Sequence, residues 1–285
     1  MNLSRGTIYM FFSVLCISLM AVMVKATGSR IPPEELVLAR SIVVLAITGV
    51  MLKRAGLPLL GRDHKWLLLR GVFGFLGLSA YFYTLSTIPI ADATTLLYTN
   101  PLFTALLAQG ILKEANPPRN WGYFLLAFSG ILLIVRPGFS MHSGAALIGL
   151  GGAFCAGMAY TIVRRLRATD HPLSIVFYLP AVSIVLSVPF VARSFVMPQG
   201  WEWLMLLGIG ITTQIGQVFM TRGLHYETAA RATNVSYVGV VFAAGWGILL
   251  FDEIPDWRTV LGAAIVIFAV LRVATYRPPA PVAEE

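Results

Sequence analysis

Apolar runs about as long as a bilayer is thick recur along the whole chain, and this restricts its fold more than any other feature. Ten can be read, at about 6–24, 36–52, 66–88, 91–112, 120–136, 143–163, 173–192, 201–221, 228–251 and 257–275. A helix rising 1.5 Å per residue crosses a hydrocarbon core of about 30 Å in about 20 residues. The breaks carry turn chemistry, among them Ile31-Pro32-Pro33, Ile88-Pro89, Arg136-Pro137-Gly138, His171-Pro172 and Glu253-Ile254-Pro255. An open sheet is not viable in lipid, and no ten-residue alternation of a barrel strand occurs, so each run is expected to be a helix.

Composition closes off the soluble alternatives. The chain is 57% hydrophobic and only 12% charged, against about 25% charged in soluble domains. So few charges cannot solvate a globule of 285 residues, and the same figures exclude disorder. The net charge of +8 does not imply nucleic acid, because the basic residues are scattered singly between apolar runs. Cys16 and Cys155 lie inside runs with no disulfide framework, and the four histidines have no metal-ligand spacing. No metal and no cofactor are expected. Run one is long for a signal peptide and is expected to be retained. The Pro/Ala-rich segment 277–285 is expected to be a disordered tail.

With the N-terminus placed inside, 15 of the 21 Lys and Arg fall in inside connectors and 6 outside. That split follows the positive-inside rule and, with ten spans, puts both termini in the cytoplasm.

The second half echoes the first. Trp66-Leu67-Leu68-Leu69-Arg70-Gly71 aligns with Trp203-Leu204-Met205-Leu206-Leu207-Gly208 at an offset of 137. The segment from Ala91 through Pro101 to Glu114 aligns with Ala230 through Val240 to Glu253 at an offset of 139. Five spans per copy is an odd number, so the second copy enters the membrane from the opposite side. Such inverted repeats characterise carriers that open alternately around a midplane site. The units expected are residues 1–138 and 139–276.

Several segments carry a family likeness: Phe82-Tyr83-Thr84-Leu85, Ile90-Ala91-Asp92-Ala93-Thr94, Asn100-Pro101-Leu102-Phe103, Leu112-Lys113-Glu114 and Gly130-Ile131-Leu132-Leu133-Ile134. The second copy keeps Ala229-Ala230-Arg231-Ala232 and Glu253, with Val240 where the family often has proline. On these the chain resembles the drug/metabolite transporter superfamily, specifically the EamA-type ten-helix carriers. The resemblance implies an all-α membrane protein with a central cavity, residing in the bacterial inner membrane as a monomer or homodimer. It also implies export of an amino acid or amino-acid-derived compound, opine-type metallophores included. Uptake of a vitamin or nucleotide-like solute, such as riboflavin or S-adenosylmethionine, is the alternative. The expected partners are a small-molecule substrate and the lipid bilayer.

Polar groups at membrane depth are costly unless they face a cavity or each other, so they mark the candidate site. These are Tyr81 and Tyr83 in run three, Tyr98 and Asn100 in run four, Tyr160 in run six, Gln214 and Gln217 in run eight, and Asn234 and Tyr237 in run nine. Each has a second reading, an interhelical hydrogen bond. Pro101 is expected to kink run four and to free the carbonyl of Leu97 for a ligand. Arg40, one turn into run two, either snorkels, pairs with Glu34 or Glu35, or holds a substrate carboxylate. Lys25 is a second candidate for carboxylate binding or gating, and Glu114 and Glu253 read as caps or gate ion pairs. Small residues at i+4 spacing (Ala145, Gly149, Ala153, Gly157 and Thr161) predict a smooth packing face on run six.

An intramembrane enzyme would need a nucleophile–base pair or metal ligands at depth, and no H-E-x-x-H or G-x-S-x-G motif occurs. Without a P-loop there is no direct ATP drive. A secondary carrier is the reading that remains, with a channel or passive scaffold as its rival.

Overall fold

A computed structural model describes residues 5–112, 118–135, 143–166, 168–226 and 238–274. The described residues are helical apart from their connectors, with no strand among them. In chain order the helices are α1 (Arg5–Thr27), α2 (Pro33–Arg54), α3 (His64–Thr87), α4 (Ile90–Leu97), α5 (Asn100–Ile111), α6 (Pro118–Val135), α7 (Ser143–Leu166), α8 (Pro172–Ser194), α9 (Glu202–Tyr226), α10 (Val238–Phe251) and α11 (Trp257–Ala274). Six are long and apolar enough to cross a membrane: α1, α2, α3, α7, α8 and the first 19 residues of α9. α10 and the apolar stretches of α6 and α11 are shorter.

The termini of these helices follow from their residues. Proline opens the first turn of α2 and α8, where its missing amide would have had no partner. The Asp63 side chain accepts from the Trp66 amide at the start of α3. Run four is two helices, and the break lies at Tyr98–Thr99, just ahead of Pro101. Pro101 is in the first turn of α5, so the lost hydrogen bond falls at the junction. There the chain tightens to bonds of three-residue spacing, from the Thr99 amide to the Leu96 carbonyl (3.1 Å) and from the Leu102 amide to the Thr99 carbonyl (3.0 Å).

The most extensive helix pairs are α1 with α9, α3 with α7, α6 with α11 and α2 with α8, and α4 packs on α10. Exchanging the two halves of the chain turns α1·α9 into α3·α7 and maps the other three pairs onto themselves. Small residues set these crossings. A Cβ on Gly130 would lie 2.9 Å from the Gly262 carbonyl oxygen, and one on Gly262 would lie 2.7 Å from the Gly130 oxygen. Gly157 is equally confined, with a Cβ there meeting Phe103 Cβ at 2.7 Å and the Asn100 oxygen at 3.0 Å. The smooth face expected on run six therefore lies against α3, α4 and α5.

Connectors are tied to one another in two groups. The 28–32 turn meets the 195–201 connector through Arg30, which pairs with Glu202 and donates to the Met197 carbonyl. Glu35 reinforces this by accepting from the Val196 amide at 3.0 Å. The 55–63 and 168–171 connectors meet through Asp170, which accepts from the amides of Arg62 (2.5 Å) and Asp63 (3.4 Å). Thr169 donates its hydroxyl to the same carboxylate at 2.7 Å. Burial raises the pKa of Asp170, but these donors and the Arg62 charge outweigh it and hold the group below the ordinary carboxylate range.

Candidate substrate cavity and its latch

A narrow cavity lies among α1, α3, α4 and α10, walled by Ser18 and Ala21 of α1, Tyr81 of α3, Thr94 and Tyr98 of run four, and Gly239 of α10. The cavity is nearly closed, with an accessible volume of about 20 Å³, room for roughly one water, so a metabolite enters it only if the helices part. Tyr81 is 5% exposed and its hydroxyl lies 3.4 Å from that of Thr94. The Tyr98 ring occupies the space that a side chain at Gly239 would fill. Trp246 donates its indole N–H to the Ser18 hydroxyl at 3.2 Å, fixing a polar atom in the wall. Phenol faces and hydroxyls in an otherwise apolar pocket can hydrogen-bond a polar solute and stack on its apolar or cationic part.

The other candidates are placed differently. Tyr83, two residues beyond Tyr81, is turned about 200° around α3, away from the cavity. Asn100 donates its side-chain amide to the Leu97 carbonyl at 2.8 Å, and Thr99 donates its hydroxyl to the Leu96 carbonyl at 2.6 Å. The carbonyl expected to await a ligand beside Pro101 is thus occupied by the chain itself. Gln214 is buried between α2 and α9, where its oxygen lies 3.5 Å from the Thr48 hydroxyl. Gln217 is half-buried on α9. Asn234, Tyr237 and Glu114 lie outside the described residues. Tyr160 is 44% exposed and does not line the cavity.

Lys25 and Glu253 find each other. Nζ of Lys25 lies 2.7 Å from Oε1 of Glu253, and it also donates to the carbonyls of Ile88 (2.9 Å) and Leu85 (3.3 Å) at the end of α3. The other oxygen of Glu253 accepts from the Ile90 amide at 2.9 Å, where a carboxylate meets the positive end of α4. The end of α10 aims this side chain. Asp252 adopts a left-handed conformation (φ 53°), and the Glu253 amide bonds back to the Gly247 carbonyl at 3.0 Å, as in a Schellman cap. One ion pair thereby joins α1, the α3–α4 junction and the α10–α11 connector beside the cavity.

Sequence reading passed over Ser18, Thr94 and Arg70. A lone hydroxyl in a helix gives no signal of its own: Ser18 bonds back to the Leu15 carbonyl just as Thr95 does to that of Ala91, yet only Ser18 lines the cavity. Arg70 counted as a connector charge because it begins an apolar run. The repeat register was its signal, for the matching residue in the second copy is Leu207.

A helical bundle of membrane-spanning segments around a small cavity, latched by an ion pair, defines a membrane transporter of the carrier type. The model of the EamA-like transporter family matches residues 4–136 and again 143–275, and the chain belongs to that family. It is 35% identical over 271 residues to the pseudopaline exporter CntI of Pseudomonas aeruginosa, covering 94% of this chain and 95% of the relative. An S-adenosylmethionine uptake transporter of Rickettsia prowazekii is 27% identical, over 94% of this chain and 91% of its own. A solved structure, described only as a crystal structure of a protein, shares the fold with a TM-score of 0.67 at 21% identity, over 96% of this chain and 97% of that one. The protein is a multi-pass inner-membrane transporter of a small organic metabolite.

Proposed function

We propose that the chain exports an amino-acid-derived compound of the opine type by alternating access, with the cavity around Tyr81, Tyr98 and Thr94 as its binding site. The observation that carries this is the 35% identity, over nearly the full length of both chains, to an exporter of pseudopaline. Two inverted five-helix copies, residues 1–138 and 139–276, form ten spans with both termini cytoplasmic. Two observations support that topology: the family model matches twice, and exchange of the halves leaves the helix pairing unchanged. In this cycle the Lys25–Glu253 pair holds one face shut and parts when that face opens. Uptake is the second reading, favoured by likeness to the S-adenosylmethionine uptake transporters.

Octopine counterflow in proteoliposomes separates these proposals from a channel. Saturable, trans-stimulated exchange is expected. Flux that rises linearly with octopine and shows no trans-stimulation rejects the carrier. In cells that make an opine, expression is expected to move the compound into the medium, and accumulation inside instead overturns the direction.

A further inference from the structure

Among the described residues, two buried arginines have no counter-ion. Arg40 of α2 is 3% exposed, and its Nε and Nη1 are buried without a hydrogen-bond partner. Burial rules out snorkelling. Neither recorded ion pair involves it, and Glu35, one turn away, gives an oxygen to the Val196 amide instead. Arg70 of α3 is half-buried as a residue, but its Nε and Nη1 are likewise buried and unpartnered. Its guanidinium lies over Gly74, where a Cβ would collide with Nη1 and with Leu179 of α8. The missing side chain at Gly74 is what makes room for the cation.

The two arginines lie on neighbouring helices, each set in from an opposite end of the bundle. Arg40 lies about 10 Å from the start of α2 and Arg70 about 9 Å from the start of α3, and the two helices run antiparallel. Their long side chains bring the charges within electrostatic reach of each other, and no carboxylate among the described residues acts on either. The fold does not need a cation at this point, since the second copy has Leu207 in the register of Arg70. Two unpaired like charges in a low-dielectric interior are costly, and a guanidinium fork matches a carboxylate with two parallel hydrogen bonds.

We infer that Arg40 and Arg70 form a subsite that receives a carboxylate of the cargo midway through the bundle. This rests on the transport reading above and narrows it to anionic, carboxylate-bearing compounds.

The test uses the purified full-length chain and its Arg40→Met, Arg70→Met and double Met variants, melted at constant ionic strength. The probes are succinate, its neutral isostere succinamide, and inorganic phosphate. Without probe, the variants are expected to melt no lower than the parent, because each loses a buried charge that nothing balances. Saturating succinate is expected to raise the parent's Tm by about 3–6 °C, succinamide and phosphate are not, and the double variant is expected to lose the rise. Equal shifts with succinate and succinamide, or a succinate shift that survives in the double variant, overturn the subsite. A shift with phosphate alone overturns the carboxylate assignment. Variants that melt markedly lower make the arginines structural. Should the Met variants not fold, Arg40→Lys and Arg70→Lys keep the charge without the fork and are expected to weaken succinate at least tenfold; unchanged affinity rejects the proposal. Octopine counterflow separates this idea from its parent reading. Exchange that persists undiminished in the double variant removes the subsite and leaves the carrier. Arginine-dependent succinate binding without any octopine exchange removes the octopine-type cargo and leaves the subsite.

Discussion

Glu253→Gln isolates the charge of the latch from its shape. The amide oxygen can still accept from the Ile90 amide, so the cap on α4 is retained while the ion pair at 2.7 Å is lost. The side chains of Lys25 and Glu253 are only 13% and 21% exposed, so the pair is partly desolvated and exceeds a surface bridge in strength. Replacing a charge-assisted hydrogen bond by a neutral one costs about 1–1.5 kcal/mol, and loss of a negative charge at a helix N-terminus about 0.5 kcal/mol more. Lys25 keeps the carbonyls of Leu85 and Ile88, which prevents the larger penalty of a stranded ammonium. The closed face should therefore lose about 2 kcal/mol, a shift of about 30-fold toward the open one. Thr94→Cys, in a background with Cys16 and Cys155 replaced by Ser, reports this as the rate of maleimide labelling inside the cavity. Labelling about 30-fold faster in Glu253→Gln is expected, and Lys25→Met should add little on top of it. A rate within twofold of the parent's would refute the idea that this pair holds the face shut.

Three further outcomes follow from contacts already described. Gly157→Leu forces a side chain into the α5 backbone and is expected to cost at least 3 kcal/mol (about 6 °C or more in Tm) or to prevent folding, whereas unchanged melting would exclude the close crossing. Gln214→Leu removes two long interhelical hydrogen bonds, with the Thr48 hydroxyl and the Met51 sulfur, so a stability loss of about 1 kcal/mol with octopine counterflow intact is expected; lost exchange in a well-folded variant would make Gln214 a ligand. The depressed pKa of Asp170 means that its carboxylate stabilises the fold above the ordinary carboxylate pKa, and that this is lost as pH falls through the folded value. Asp170→Asn should melt lower at pH 7 by an amount worth about 1–2 kcal/mol, and the gap should narrow as pH falls below the ordinary carboxylate range, while a gap independent of pH would show that charge has no part in it.

Helix positions were legible because lipid imposes a length and a composition, and runs one to three match α1 to α3 closely. The break in run four was legible only approximately. Proline announces a lost amide, but whether neighbouring side chains cover the freed carbonyls depends on rotamers, and here Thr99 and Asn100 cover them. Periodicity could mark Tyr81 as polar at depth but not say that Tyr83 faces elsewhere without a register for α3. Lys25 and Glu253 were each suspicious alone. Their union spans more than 220 residues of chain and depends on a left-handed turn at Asp252 that no local pattern requires. Arg70 shows the converse fault, since a rule about connector charges assigned it to the surface before its burial was considered.

The exchange relation among the helix pairs carries a mechanical corollary. Since α1·α9 and α3·α7 are images of each other, the alternating-access cycle proposed above would loosen the first in one half of the cycle and the second in the other. Equivalent damage at the two seams should then bias the resting population in opposite senses and cancel when combined. A molecule so built acts as its own counterweight, and neither of its two end states need be the ground state by design.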